Sequence, residues 1–182
     1  MDIVSRAKGL LTQPLVEWNA VAAEPADVGS LFTRYVVPLS AIPAIAGFIG
    51  AYLIIGAAVG PGPLLIGAIS SYILGLIGIF VLGKIIELLA PKFGAPADGI
   101  AAMKLAAYAP TASWVAGIFL LLPFLGALLA LIGALYSIYL FYVGAPIVAR
   151  VPKDRAVTFT IAVFVVALLV NLVIGAVVSM FQ

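Results

Sequence analysis

Hydrophobic residues make up 65% of the 182 residues and charged residues only 9%, which excludes an ordinary soluble domain, where about a quarter of residues carry charge. The sequence contains neither Cys nor His, so it offers no disulfide, no thiolate metal site and no histidine general base. A net charge of +2 is too small to indicate nucleic-acid binding. We therefore expect an all-α, polytopic protein of the lipid bilayer that is not an enzyme and uses no cofactor or metal.

The N-terminal segment, residues 1–34, is predicted to be cytosolic and amphipathic. Its apolar residues recur at helical spacing: Ile3, Ala7, Leu10 and Leu11. Pro25 should end this helix, because the residue before a proline avoids the α region, and Asp27 can cap the next helix. Two arrangements are open. The segment lies on the inner leaflet with Trp18 among the headgroups, or it packs as a small cap on the other helices.

The remaining domain, residues 35–182, is predicted to contain five transmembrane helices. Two stretches without a charge, 35–83 and 105–149, are each too long for one crossing of about 20 residues. The Gly-Pro-Gly-Pro sequence at 60–63 should break the first stretch, and Pro123 the second. The predicted spans are about 35–59, 64–90, 104–122, 124–149 and 157–181.

All nine Lys and Arg residues fall into three groups, which five spans place on one side of the membrane. The groups are Arg6, Lys8 and Arg34; Lys84, Lys92 and Lys104; and Arg150, Lys153 and Arg155. Because basic loops are retained in the cytoplasm, we expect a cytoplasmic N-terminus and a periplasmic or extracytoplasmic C-terminus. The loop of Arg150, Lys153 and Arg155 then belongs to a cytosolic contact surface.

Polar side chains inside the predicted spans form a candidate polar cluster: Tyr108, Thr111, Tyr136, Ser137, Tyr139, Tyr142 and Asn171. Buried hydroxyl and carboxamide groups need partners, so they either hydrogen-bond between helices or line a polar cavity open to the cytoplasm. Pro38 and Pro43 should kink the first span near its cytoplasmic end. A polar cavity between kinked helices is typical of a transporter.

Lys84 and Glu87 lie three residues apart at the end of the second span. They mark either the exit of a helix from the membrane or a shielded gate for an ion or substrate. The first interpretation predicts a water-accessible pair, and the second predicts that loss of either charge is costly. In the same span Gly67, Ser71 and Gly75 repeat every four positions and should allow close packing within the chain.

Three stretches cover most of the chain: EPADVGSLFTRYVVPLSAIPAIAGFIG at 24–50, MKLAAYAPTASWVAG at 103–117 and YSIYLFYVGAPIVARVPKDRAV at 136–157. Together they resemble the bacterial branch of the Yip family, the Ypt/Rab-GTPase-interacting protein domain. The resemblance implies a five-helix membrane domain with a cytosolic N-terminus. Eukaryotic members act in secretory traffic through Rab-type GTPases, but their Asp-Leu-Tyr-Gly-Pro motif is replaced here by AEPADVGSLF, which makes GTPase binding doubtful.

The expected function is that of a non-enzymatic, Yip-type protein of the bacterial inner membrane, which organises membrane or protein partners through its cytosolic face. Another membrane protein or a second copy of the chain is the expected partner. The alternative is a small transporter or channel with a polar cavity lined by the kinked helices and by Tyr136, Tyr139 and Tyr142.

Overall fold

The computed structural model describes residues 2–122 and 125–179, and this part of the chain is helical, without strands. The helices in chain order are α1 Ile3–Thr12, α2 Pro14–Ala23, α3 Val28–Val59, α4 Pro61–Phe93, α5 Gly99–Leu121, α6 Leu125–Val148 and α7 Ala156–Ser179. Four of them, α3 to α6, are long and apolar enough to cross a membrane. The chain is therefore a polytopic membrane protein.

The fifth predicted span corresponds to α7, which has 24 residues. Its crossing of the membrane, and with it the count of five spans, stays a prediction. The turn predicted at Pro123 lies outside the described residues.

Helices α1 and α2 form a helical hairpin, here called the N-terminal hairpin. Pro14 begins α2, since proline is favoured in the first turn of a helix and cannot continue the one before it. The carboxylate of Asp2 caps α1 by accepting a hydrogen bond from Ser5 N at 3.3 Å. Helix α2 ends at Ala23, which confirms the predicted break before Pro25. The expected single helix is thus a pair of helices.

Asp27 caps α3, as predicted. Its Oδ1 accepts a hydrogen bond from Ser30 N at 2.9 Å, and Asp27 N donates to Ser30 Oγ at 3.3 Å, which is a reciprocal capping box. A π-helical turn follows at Phe32–Val36, next to the two prolines predicted to distort this end of the helix. The start of α3 is therefore irregular where it meets the N-terminal hairpin.

The α3–α4 turn is confirmed at Gly60, which has φ 78°, a left-handed value that favours glycine. The start of α5 differs from the prediction. Asp98 Oδ1 accepts hydrogen bonds from Ile100 N at 3.1 Å and Ala101 N at 3.0 Å, so α5 begins at Gly99 rather than at residue 104. Lys104, where the predicted span begins, therefore lies inside α5 and is buried.

Glycines let neighbouring helices approach closely, although not at the predicted positions. A Cβ atom on Gly83 of α4 would lie 2.6 Å from Met103 Cε, and one on Gly133 of α6 would lie 2.8 Å from the Ala112 carbonyl oxygen. By contrast, a Cβ atom on Gly67 or Gly75 would meet nothing within 4 Å. The predicted packing of the Gly67 stripe within the chain is wrong for the described residues.

The core lies at the end of the bundle that carries the N-terminal hairpin. Its largest fully buried side chains come from six helices: Leu10, Trp18, Ile86, Met103, Leu105, Phe141 and Phe159. Towards the α3–α4 turn, large apolar side chains are exposed instead: Leu53, Ile54, Leu65 and Ile66. This second surface matches a hydrocarbon environment, in which apolar side chains face lipid.

Candidate functional site

The N-terminal hairpin contains a buried guanidinium. Arg6 is only 3% exposed, and its NH1 donates to Glu17 Oε1 at 2.6 Å while its NH2 donates to Glu24. The guanidinium carbon also lies 5.6 Å from the centroid of the Tyr108 ring, within the range of a cation–π contact. Because a buried charge is costly unless it is paired, these contacts fix α1 against α2 and against α5.

Lys104 of α5 caps the C-terminal end of α2. Its Nζ donates to the carbonyl oxygens of Val21 at 2.8 Å, Ala22 at 3.3 Å and Glu24 at 2.5 Å. The last carbonyls of a helix have no partner within the helix and carry the negative end of its dipole, so an ammonium group stabilises them. A transmembrane helix thus binds the hairpin by charge as well as by apolar contact.

Trp18 is the largest fully buried side chain of the hairpin. The Trp18 ring packs against Gly144 of α6. A Cβ atom on Gly144 would lie only 2.6 Å from Trp18 Cε2, so a residue larger than glycine would overlap the ring. Its ring is also edge-on to Tyr108, at 6.5 Å between centroids. Trp18 Nε1 has no hydrogen-bond partner among the described residues. Of the two open arrangements, the one with Trp18 among the headgroups does not agree with this structure, because protein covers the side chain completely.

The hairpin runs alongside the transmembrane helices. Tyr136 donates from its hydroxyl to the Leu11 carbonyl at 3.0 Å, near the tip of the hairpin. Tyr136 lies about 20 Å along the chain direction of α6 from Arg150, at 1.5 Å per helical residue. One face of the hairpin therefore packs on the other helices, as in the packed-cap arrangement. The opposite face exposes apolar side chains: Val4, Leu15 and Val16.

Two members of the candidate polar cluster, Tyr108 and Thr111, come together beside Arg6. Thr111 Oγ1 donates to the Tyr108 carbonyl at 2.6 Å, so the 2.8 Å contact between Thr111 Oγ1 and the Tyr35 hydroxyl has Tyr35 as donor. The Tyr35 and Tyr108 rings lie 4.5 Å apart between centroids. These contacts join α3 to α5 with hydrogen bonds that do not require water.

The other predicted members do not line one cavity. Ser137 Oγ accepts a hydrogen bond from Ser113 N at 2.9 Å, apart from the Tyr108 group. Tyr139 and Tyr142 are 45% and 38% exposed, so the tyrosine stripe of α6 reaches the outer surface. The side chain of Asn171 lies outside the described residues.

The predicted interface pair forms an exposed ion pair. Lys84 Nζ and Glu87 Oε2 are 2.8 Å apart, with side chains 53% and 29% exposed. This geometry favours the helix-end interpretation, since a shielded gate would bury both charges. The basic loop is exposed as well: Arg150 pairs with Asp98 at 3.5 Å, and Arg155 pairs with the neighbouring Asp154 at 3.9 Å.

Lys153 also lies in this loop and is exposed. Its neighbour Arg150 adopts φ 58°, a left-handed value that non-glycine residues seldom adopt, in the connection between α6 and the loop.

Sequence reasoning did not identify five residues of this region: Arg6, Glu17, Glu24, Tyr35 and Lys104. One feature of the sequence could have indicated these residues. Glu17 and Glu24 are seven positions apart in an otherwise apolar segment, and in a helix this spacing places both carboxylates on the same face. Among the described residues there is no group of His, Cys, Asp and Glu that could hold a metal ion. Outside the spans, hydrogen bonds from Ser30 hold the pKa of Asp27 below its ordinary value.

Comparison with known proteins places this arrangement in a family. The Yip1 domain matches residues 8–175 of the chain. The chain is similar to the inner membrane protein YohC of Escherichia coli strain K12, with 27% identity over 92% of this chain and 90% of YohC. YohC of Escherichia coli O6:H1 strain CFT073 matches with the same identity and coverage. No solved structure matches. The predicted resemblance is confirmed, and the chain belongs to the Yip1 domain family.

Proposed function

We propose that this chain is a non-enzymatic, multi-pass protein of the bacterial inner membrane that organises membrane or protein partners through one charged face. Its location follows from the E. coli relatives, which are named inner membrane proteins. The N-terminus and the basic loops are cytoplasmic and the C-terminus is extracytoplasmic, since basic loops are retained in the cytoplasm.

One observation supports this proposal above the others: contacts join charged residues from separate parts of the chain. Lys104 contacts the hairpin, Arg150 pairs with Asp98, and Glu87 lies beside Gly99. The opposite end, at the Gly60–Pro63 turn, has no charge. The buried charges of this face, Arg6 and Glu17, pair with each other and hold the hairpin in place. The charges of residues 150–155 are exposed and can contact a partner.

The topology is tested with reporter fusions. Alkaline phosphatase fused after Gln182 should be active, because it folds only outside the cytoplasm, and green fluorescent protein at the same site should stay dark. The reverse pattern would contradict the proposed orientation or change the number of spans.

The contact face is tested by photocrosslinking in living cells. A crosslinking residue at Lys153, on the exposed loop, should give discrete adducts with protein or lipid partners that Arg155→Glu weakens. The same residue at Ile66, which is exposed on the apolar surface, is the matched control and should give only lipid adducts. Identical adducts from both positions would contradict a dedicated charged face.

The alternative of a small transporter or channel has its own test. Purified protein in liposomes should not raise the flux of ions or small solutes above that of protein-free liposomes. Saturable flux would replace the proposed function with transport. GTPase binding is not part of the proposal, because the segment AEPADVGSLF stands where eukaryotic members carry their own motif.

A further inference from the structure

A partly open cavity of about 140 Å³ lies between the N-terminal hairpin and the starts of α3 and α5. Its polar lining comes from all three regions: Arg6, Glu24, Arg34, Tyr35, Lys104 and Tyr108. A water molecule needs about 10–15 Å³ of such volume, so the cavity has room for a small polyatomic ion.

The lining of this cavity is positively charged. It contains three cations, Arg6, Arg34 and Lys104, and one carboxylate, Glu24. Even when Glu17, the second carboxylate on Arg6, is included, the cations exceed the anions by one. In a site partly shielded from water such an excess favours an anionic ligand.

Donors in the cavity remain available for a ligand. Arg34 is exposed and has no ion pair among the described residues. The Tyr108 hydroxyl has no hydrogen-bond partner in the same part of the chain. Arg6 uses only NH1 and NH2 once each for its two carboxylates, and a guanidinium has five N–H groups.

The position of the cavity relates it to the lipid surface. Arg34 is the last charge before the long apolar part of α3, so it belongs to the membrane boundary. The hairpin, whose residues Ile3, Arg6 and Val21 line the cavity, also exposes apolar side chains on its outer face: Val4, Leu15 and Val16. Basic pockets near helix ends at the membrane surface bind the phosphate headgroups of anionic lipids.

We infer that the cavity binds a phosphate group at the membrane boundary, supplied by the headgroup of an anionic phospholipid or by free phosphate. Arg34 contributes a planar guanidinium that can donate two parallel hydrogen bonds to phosphate oxygens. Tyr108 donates a third hydrogen bond, and Lys104 and Arg6 add positive charge. This inference goes beyond the proposed function and stands or fails independently of partner contact at residues 150–155.

Native mass spectrometry of the full chain released from detergent tests the lipid source. On titration with phosphatidylglycerol, one lipid should be retained per chain, more tightly than phosphatidylcholine. Arg34→Gln should weaken this binding roughly tenfold or more, since hydrogen bonds between charged groups are stronger than those between neutral groups. Tyr108→Phe should weaken it less. The matched control is Lys92→Gln, which removes the same charge from another exposed site outside the cavity and should leave binding unchanged.

Inorganic phosphate, the second probe, distinguishes the two sources. If free phosphate raises the melting temperature in detergent through Arg34 while phosphatidylglycerol is not retained, the site takes soluble phosphate. If only phosphatidylglycerol is retained through Arg34, the site takes a lipid headgroup. Equal retention of both lipids with no effect of phosphate would overturn the inference. An equal loss of binding in Arg34→Gln and Lys92→Gln would also overturn it, because a general surface charge would then be sufficient.

Arg34 is exposed and has no ion pair among the residues that the structure describes, so Arg34→Gln is expected to fold normally. Its melting temperature without lipid or phosphate should equal that of the unmodified protein, which makes a loss of binding a property of the site.

Discussion

The end of the bundle that carries the N-terminal hairpin and the end at the Gly60 turn are built differently. In α5 half of the most apolar stretch is buried in protein, whereas in α4 none is. The hairpin end combines buried charges, a buried tryptophan and close glycine contacts, and the turn end exposes Leu53 and Ile66. Lipid tails are as apolar as leucine side chains, so apolar residues that face lipid do little to determine how the helices pack together. The specificity of this fold is therefore concentrated at the hairpin end, where polar groups must find particular partners.

The largest expected effect comes from the buried ion pairs. Arg6→Met should lower the free energy of unfolding by about 3–5 kcal/mol, because Glu17 would remain buried without a counter-charge. Lys84→Met is the matched control in the exposed pair and should cost less than about 1 kcal/mol. Thermal unfolding in detergent measures both. Equal losses would show that the two pairs do not differ in burial.

The second comparison is between two glycines. Gly144→Ala should destabilise the protein by about 1–3 kcal/mol, since the added methyl group would overlap the Trp18 ring. Gly75→Ala meets nothing within 4 Å and should be neutral or stabilising by up to about 1 kcal/mol, because alanine favours helix. In a Trp114→Phe background, the fluorescence of Trp18 should shift to longer wavelength only in Gly144→Ala. A spectrum unchanged in both variants would contradict the packing of Trp18 on α6.

A smaller effect is expected for the hydrogen bond between α3 and α5. Tyr35→Phe removes the donor to Thr111 and should cost about 0.6 kcal/mol, the average for hydrogen bonds between membrane helices. Tyr139→Phe changes an exposed hydroxyl and should have no measurable effect. The melting temperatures of the two variants provide the comparison. A larger loss of stability in Tyr139→Phe would show that the stabilising hydroxyl belongs to α6 rather than to Tyr35.

The smallest expected effect is a pH dependence at the start of α3. Hydrogen bonds from Ser30 lower the pKa of Asp27 from its ordinary 3.8, so the ionised cap stabilises the folded state above that pH. This contribution should be lost as the pH falls from 3.8 through the lowered pKa. Asp27→Asn retains a capping side chain without a titrating group and should remove this part of the acid sensitivity. Melting temperatures between pH 6 and pH 3 test the difference, and identical curves would exclude the cap as a source.

Local features of the fold were predictable because single residues impose them. Gly60 and Pro61 end one helix and begin another, Asp27 caps α3, and the break before Pro25 follows from proline geometry. The helix-end interpretation of Lys84 and Glu87 also agrees with their exposure. Helix α5 begins at Gly99, before the predicted span of 104–122, because Asp98 supplies the cap whereas the prediction followed the uncharged stretch.

The candidate polar cluster was predictable only in part. Tyr108 and Thr111 do lie together, but their partner Tyr35 comes from α3, and Tyr136 bonds to the hairpin instead. A polar side chain in an apolar helix indicates that it needs a partner, without indicating which helix provides one. Tyr139 and Tyr142 share the spacing of Tyr136 yet reach the surface.

The sequence by itself determined that this protein is helical and membrane-embedded, and that its charges lie outside the long apolar stretches. Composition and helix breakers fix these properties, because a bilayer rejects charge and unpaired backbone groups whatever the tertiary contacts are. Only the tertiary structure decided that the N-terminal hairpin packs on α5 and α6. The apolar face of the hairpin could pack equally well on lipid or on protein. Packing on protein depends on three contacts that the sequence does not reveal: Lys104 with the end of α2, Arg6 with Glu17, and Trp18 with Gly144.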